Sequence, residues 1–170
     1  MVTIFSLVAV SITIFSVEAL RSKVMSYLFD EKSTHTEITY NEEKNVKSKP
    51  IETIWNITYI PDGFKYISND DDENTISSIY YNSNSDQYIS FTQSWVGAWE
   101  INIDNEHTVM RDAVINGCDA KVYESEFGEA VTVIWQDADM LLELQCISNS
   151  KEKVAVNEIV RAAESVNLLE

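Results

Sequence analysis

Two histidines, two cysteines and 28 carboxylates bound the chemistry open to this chain. Nucleophilic hydrolysis needs a nucleophile, a base and a group that orients the base. His107 and Cys118 are the residue types for such a dyad. His107, however, sits in the polar stretch Asp104-Asn105-Glu106-His107, and the strand register derived below turns Cys118 toward the core. His35 falls in a polar tether, and neither G-x-S-x-G nor H-E-x-x-H occurs. Carboxylate pairs are inevitable among so many acids and carry no weight. No catalytic residue is assigned, and the expectation is a protein that is not an enzyme.

Cation binding has two candidates. Asp70-Asp71-Asp72-Glu73 lacks the alternating ligands and turn glycine of a calcium loop and reads as a solvated loop. Asn82-x-Asn84-x-Asp86 has the alternation but no glycine and no suitably spaced glutamate, so it reads as a hairpin turn. With four glycines and two histidines, Gly-rich phosphate cradles and multi-histidine metal sites are largely excluded. No metal or cofactor is assigned. The candidate ligand contacts are Trp95 and Trp99, two indoles in Trp95-Val96-Gly97-Ala98-Trp99 that suit stacking on a sugar or peptide. The competing reading has Trp95 ending a core strand and Trp99 lidding the sheet. Asn56-Ile57-Thr58 is a glycosylation sequon, relevant only in a eukaryotic secretory context.

The elements that must position these residues begin with an uncharged run, residues 1–17, MVTIFSLVAVSITIFSV. Seventeen helical residues span about 25 Å, just short of a ~30 Å hydrocarbon core, and Ala19 and Leu20 extend the apolar face past Glu18. A membrane anchor is the first reading. A cleaved signal is the second, with Val17 and Ala19 at −3 and −1 and cleavage before Leu20, although no basic n-region is present. A buried core helix is the third, weakened by the lack of amphipathicity. Val17, Leu20, Val24 and Leu28 step by three and four, so the helix continues as an amphipathic stalk. Arg21 and Lys23, taken alone, would place the body in the cytoplasm. The division expected is an anchor and stalk over residues 1–30, a polar tether over 31–49 and a globular domain over 50–170.

The globular part carries six Lys plus Arg against 22 Asp plus Glu, the whole of the chain's −16. That balance excludes an ordinary nucleic-acid partner, since phosphate requires a basic face. Ile60-Pro61-Asp62-Gly63-Phe64 reads as a turn with Pro at i+1 and Gly at i+3. Strands are expected over residues 36–40, 75–81, 87–95, 100–104 and 108–115. From Cys118 to Ile147, two-residue loops at Phe127-Gly128 and Ala138-Asp139 pair Ala120 with Trp135, Val122 with Val133, Val133 with Leu144 and Trp135 with Leu142. Every pair is apolar, and a one-residue slip would set Val133 against Glu143. The same register holds Cys118 and Cys146 about 20 Å apart, beyond disulfide reach, as buried free thiols. A helix over residues 150–166, with Asn149 and Glu152 as a capping box, presents Val156, Ile159, Val160, Ala163 and Val166 to the sheet and Glu158 to solvent. The class is α+β: an antiparallel sheet of five to seven strands with a C-terminal helix on one face, preceded by the transmembrane or stalk helix.

The order of five segments adds a resemblance. Tyr59-Ile60-Pro61-Asp62-Gly63-Phe64, Ile89-Ser90-Phe91-Thr92-Gln93, Val114-Ile115-Asn116-Gly117, Val133-Ile134-Trp135-Gln136-Asp137 and Ala163-Glu164-Ser165-Val166 together resemble an uncharacterised family of the domain of unknown function 4367 type. Such domains form the extracytoplasmic end of single-pass membrane proteins in Gram-positive bacteria, some of them anti-sigma-factor-like. The resemblance implies a membrane-anchored extracytoplasmic sensory, regulatory or binding domain without catalytic residues. Its partners would be the lipid bilayer, through the N-terminal helix, and a protein or cell-wall ligand. The alternative is a secreted or surface-attached hydrolase with an unrecognised site. A carboxylate of raised pKa beside a polar cleft would favour that alternative.

Overall fold

The computed structural model describes residues 30–31, 35–38, 51–52, 54–71, 74–96, 101–104 and 107–169. The anchor and stalk helix lies outside them apart from Asp30, and so do Trp99 and most of the tether. Among the described residues, no helix is long and apolar enough to cross a membrane. In chain order the strands are β1 (Asp30–Glu31), β2 (His35–Ile38), β3 (Trp55–Ile57), β4 (Lys65–Asp71), β5 (Thr75–Asn82), β6 (Gln87–Trp95), β7 (Ile101–Asp104), β8 (Thr108–Ile115), β9 (Cys118–Ser125), β10 (Ala130–Asp137) and β11 (Met140–Ser148). Helix α1 (Val156–Glu164) and strand β12 (Val166–Leu168) follow.

Seven strands form the main sheet, fully antiparallel, in the order β4-β5-β6-β11-β10-β9-β8. The apolar pairing that the sequence demands is present: Val133 opposes Val122 and Leu144, and Trp135 opposes Ala120 and Leu142. Ala138 and Asp139 make a two-residue loop, with Asp137 opposite Met140. The loop at Phe127-Gly128 is longer than expected and spans residues 126–129. The Ser125 hydroxyl accepts from the amides of Glu129 and Ala130, and the Glu126 amide donates to the His107 carbonyl, so the pair that would have closed a two-residue loop is diverted. Asn116 (φ 51°) and Gly117 (φ 83°) join β8 to β9 with the two left-handed residues of a type I′ turn.

The order of the strands is less local than a meander. After β6 the chain leaves the sheet, passes through β7 and returns at the far edge as β8. The β8-β9-β10-β11 run then brings β11 back beside β6, with Leu144 opposite Phe91 and Cys146 opposite Ile89. Two small sheets accompany the main one, β1-β2-β7 and β12-β3. Strand β4 is a correction to the sequence reading. Asp70 and Asp71 belong to this solvent-exposed edge strand rather than to a loop, and the strand bulges between Tyr66 and Ser68. Such a bulge at an edge discourages pairing with other chains.

The helix is shorter than residues 150–166 at both ends. At its start the chain is held extended: the Ser150 hydroxyl donates to the Ser85 carbonyl and the Val154 amide to the Gly128 carbonyl. Ala155 caps α1 with extended backbone and no side-chain bond, so the Asn149–Glu152 capping box does not form. At its end Ser165 closes the helix, and Val166 pairs with Ile57 in β12-β3. The helix still buries Ile159, Ala162 and Ala163 against the sheet. Val122, Val133, Trp135, Leu142 and Leu144 form the floor of that core, and the Phe91 and Trp135 rings stack with centroids 6.3 Å apart. The other side of the central strands is buried as well, with Ile134 fully inaccessible and Leu141 nearly so. Both cysteines are free, Cys146 buried and Cys118 half-buried against the core.

Candidate functional site

A cavity of about 470 Å³ opens on the helix side of the sheet, between the first turns of α1 and the turn at residues 61–64. Its wall begins at the β5-β6 hairpin. The Asn82 side-chain oxygen accepts from the amides of Asn84 and Ser85, which folds the loop. Asn82 Nδ2 donates to the Asp62 carbonyl at 3.4 Å, which seats the opposite turn. The Phe64 amide donates to the Pro61 carbonyl. Pro61 is therefore the first residue of this turn rather than the second, and Gly63 (φ 88°) the third. That is the position where a type II turn requires a positive φ. A Cβ on Gly63 would stand 2.6 Å from Asn82 Nδ2, so the close approach also requires glycine.

Tyr59 links this turn to the helix. Its hydroxyl donates to Glu158 Oε2, and Arg161 lies over its ring, 4.0 Å from the centroid. The hydrogen bond to Glu158, and after it burial, holds the Tyr59 hydroxyl above its ordinary pKa. Glu158 is thus half-buried and bonded rather than solvent-facing. The Tyr59 amide donates to the Ser165 hydroxyl at 2.9 Å, and the Thr58 hydroxyl donates to the Ser165 carbonyl at 2.8 Å. One end of the cavity wall is thereby tied to the end of α1.

The floor is Cys146 and Ile159, and Gln87 closes the side by donating to the carbonyls of Glu152 and Lys153. Burial pushes the Cys146 thiol up to about 12, so it is a packing group rather than a nucleophile. Asp62, Glu152 and Glu158 give the lining negative charge, and Lys153 and Arg161 give it positive charge. Aromatic surface beside charges of both signs suits a ligand with apolar and ionic parts, such as a peptide segment.

Of the residues singled out in the sequence, Asn82 and Cys146 line the cavity, Trp95 and His107 lie elsewhere, and Trp99 is outside the described residues. Trp95 ends β6, packs half-buried against the core and opposes Met140. Gln87, at the cavity, begins that strand, so about 27 Å of extended chain separates the two. His107 is exposed, 3.6 Å from Glu126, at the opposite end of the β8-β9 hairpin from Cys118. Asp86 accepts a hydrogen bond from the Tyr81 hydroxyl, so the Asn82–Asp86 oxygens serve the turn. Among the described residues, no three His, Cys, Asp or Glu side chains group as metal ligands.

Two buried polar residues escaped the sequence reading. Gln93 exchanges hydrogen bonds with the Trp55 backbone, its Oε1 accepting at 3.0 Å and its Nε2 donating at 3.2 Å, and so pins β3 onto the sheet. Glu143 is 7 % exposed, and burial pushes its carboxyl up to about 7. It projects from the face opposite Cys146, so the raised carboxylate and the cavity lie on different sides of the sheet. The signal for Glu143 was present as a lone acid in the run Met140-Leu141-Leu142-Glu143-Leu144.

No curated protein and no solved structure matches the chain. Residues 54–166, which hold the main sheet, the cavity and α1, match the model of a family described as Domain of unknown function (DUF4367), and the chain belongs to that family.

Proposed function

We propose that the chain is a membrane-anchored extracytoplasmic binding domain of a sensory or regulatory kind, without catalytic activity, and that the cavity between α1 and the 61–64 turn receives its ligand. The anchor is the uncharged segment at residues 1–17, and the ligand is a protein segment or a cell-wall fragment. The observation that carries the reading is the lining itself: Tyr59, Asp62, Glu158 and Arg161 converge on one 470 Å³ space. The hydrolase reading draws no support from Glu143, whose raised carboxyl faces away from that space.

Calorimetric titration of the full chain with soluble wall fragments and with peptides tests the reading. Binding is expected, weakened about tenfold or more by Arg161→Ala, as for a charged contact worth about 1.5–3 kcal/mol. Unchanged affinity in that variant would place the site elsewhere. Cleavage of the titrant by the parent chain would overturn the non-catalytic assignment.

A further inference from the structure

Glu143 lies on β11, the central strand of the seven, with Thr92 of β6 and Ile134 of β10 directly beside it. It is 7 % exposed, and its Oε2 reaches no hydrogen-bond partner. Its neighbours on the face are neutral hydroxyls and amides. The Thr92 and Ser77 hydroxyls bond one another at 2.9 Å, and the Thr132 hydroxyl accepts from Gln145 Nε2 at 3.1 Å. Ser94, fully buried one pair along on β6, and Gln136, one pair along on β10, each carry an oxygen without a partner.

The charged groups on this face among the described residues stand farther off. Lys121 and Asp112 bond each other at 2.7 Å on β9 and β8, and Asp119 is on β9. Lys65 and Asp70 on the edge strand β4, with Tyr81, Tyr88 and Tyr123, are the other titratable groups that the register places on the face among the described residues. The flanking strands β6 and β10 place no charged residue on it beside Glu143. Among the described residues, no cation faces an ionised carboxylate from the flanking strands, whereas the neutral acid carries an O–H of its own beside strands on which the Ser94 and Gln136 oxygens lack partners.

We propose that Glu143 is a proton-operated switch in the central strand. When protonated, its acid donates within the face and the strands stay closed. When ionised, it draws water in and loosens β11 against β6 and β10. The transition falls near neutrality, where burial sets the carboxyl at about 7. The proposal is independent of the cavity, which lies on the other face.

The test is carbon-detected NMR titration of the Glu143 carboxyl in the full chain, together with amide hydrogen exchange of β6, β10 and β11 at pH 6 and pH 8. A midpoint near 7 is expected. After correction for intrinsic exchange, protection should fall about tenfold between the two pH values, consistent with a carboxyl raised by two or more pKa units. Glu143→Gln, a mimic of the neutral acid, should fold and show no such fall. An ordinary carboxylate midpoint overturns the proposal, as does the same loss of protection in Glu143→Gln. Should the variant fail to fold, the midpoint and exchange of the parent chain still decide.

Discussion

At the scale of single residues, two positions carry measurable consequences. Glu143 has a folded-state pKa of about 7 against an ordinary 4.5. Its contribution to stability is therefore fully present below pH 4.5 and is lost as the pH rises through 7, a change of about 3 kcal/mol over that window. Denaturant titrations of parent and Glu143→Gln at pH 5 and pH 8 should show the parent losing most of that amount and the variant keeping it. Ala138 occupies the Ala138-Asp139 loop at φ 52°, a left-handed conformation that costs an L-residue about 1–2 kcal/mol. Ala138→Gly should raise the unfolding free energy by about 0.5–1 kcal/mol in the same assay. The pairing around that loop was legible because Val133, Trp135, Leu142 and Leu144 leave one apolar register. Tyr59, Arg161 and Gln93 were not legible as site or clamp residues. Their roles depend on partners 38 to 106 positions away, which no local pattern encodes.

At the scale of elements, the C-terminal helix was legible in its stripe and mistaken in its length. Val156, Ile159, Val160 and Ala163 repeat at helical spacing, whereas the ends were decided by tertiary bonds. The Val154 amide is taken by Gly128, and Val166 is taken by Ile57. A nine-residue helix is too short to hold itself in water, so packing must hold it. Ile159→Asp would bury a charge at a site 2 % exposed and cost several kcal/mol, a large share of a typical ~5–15 kcal/mol stability. Asn157→Ala, at an exposed position on the same helix, should change stability by less than ~0.5 kcal/mol. Chemical denaturation compares them, and an Ile159→Asp chain as stable as the parent would mean that α1 is not docked. Strands β3, β4 and β12 went unread for a different reason. β4 is exposed throughout, and β3 and β12 are three residues each, so none carries a burial period to detect.

At the scale of the molecule, the antiparallel sheet with one covering helix was legible from alternation and from the terminal stripe. The placement of β11 beside β6 was not, since it joins strands some fifty residues apart. That junction makes β11 central. It gives the sheet two faces with different work: the helix side holds the cavity, and the other side holds Glu143. The charge of −16 resides in the globular part. The measurement that bears most directly on the binding account is hydrogen exchange by mass spectrometry on the full chain, with and without a bound wall fragment or peptide. Protection is predicted at residues 58–64, 82–87 and 152–161, the three segments that enclose the cavity. Protection confined to the segment that begins at Trp95, with no change at those three, would contradict the account and move the binding surface to the opposite end of β6.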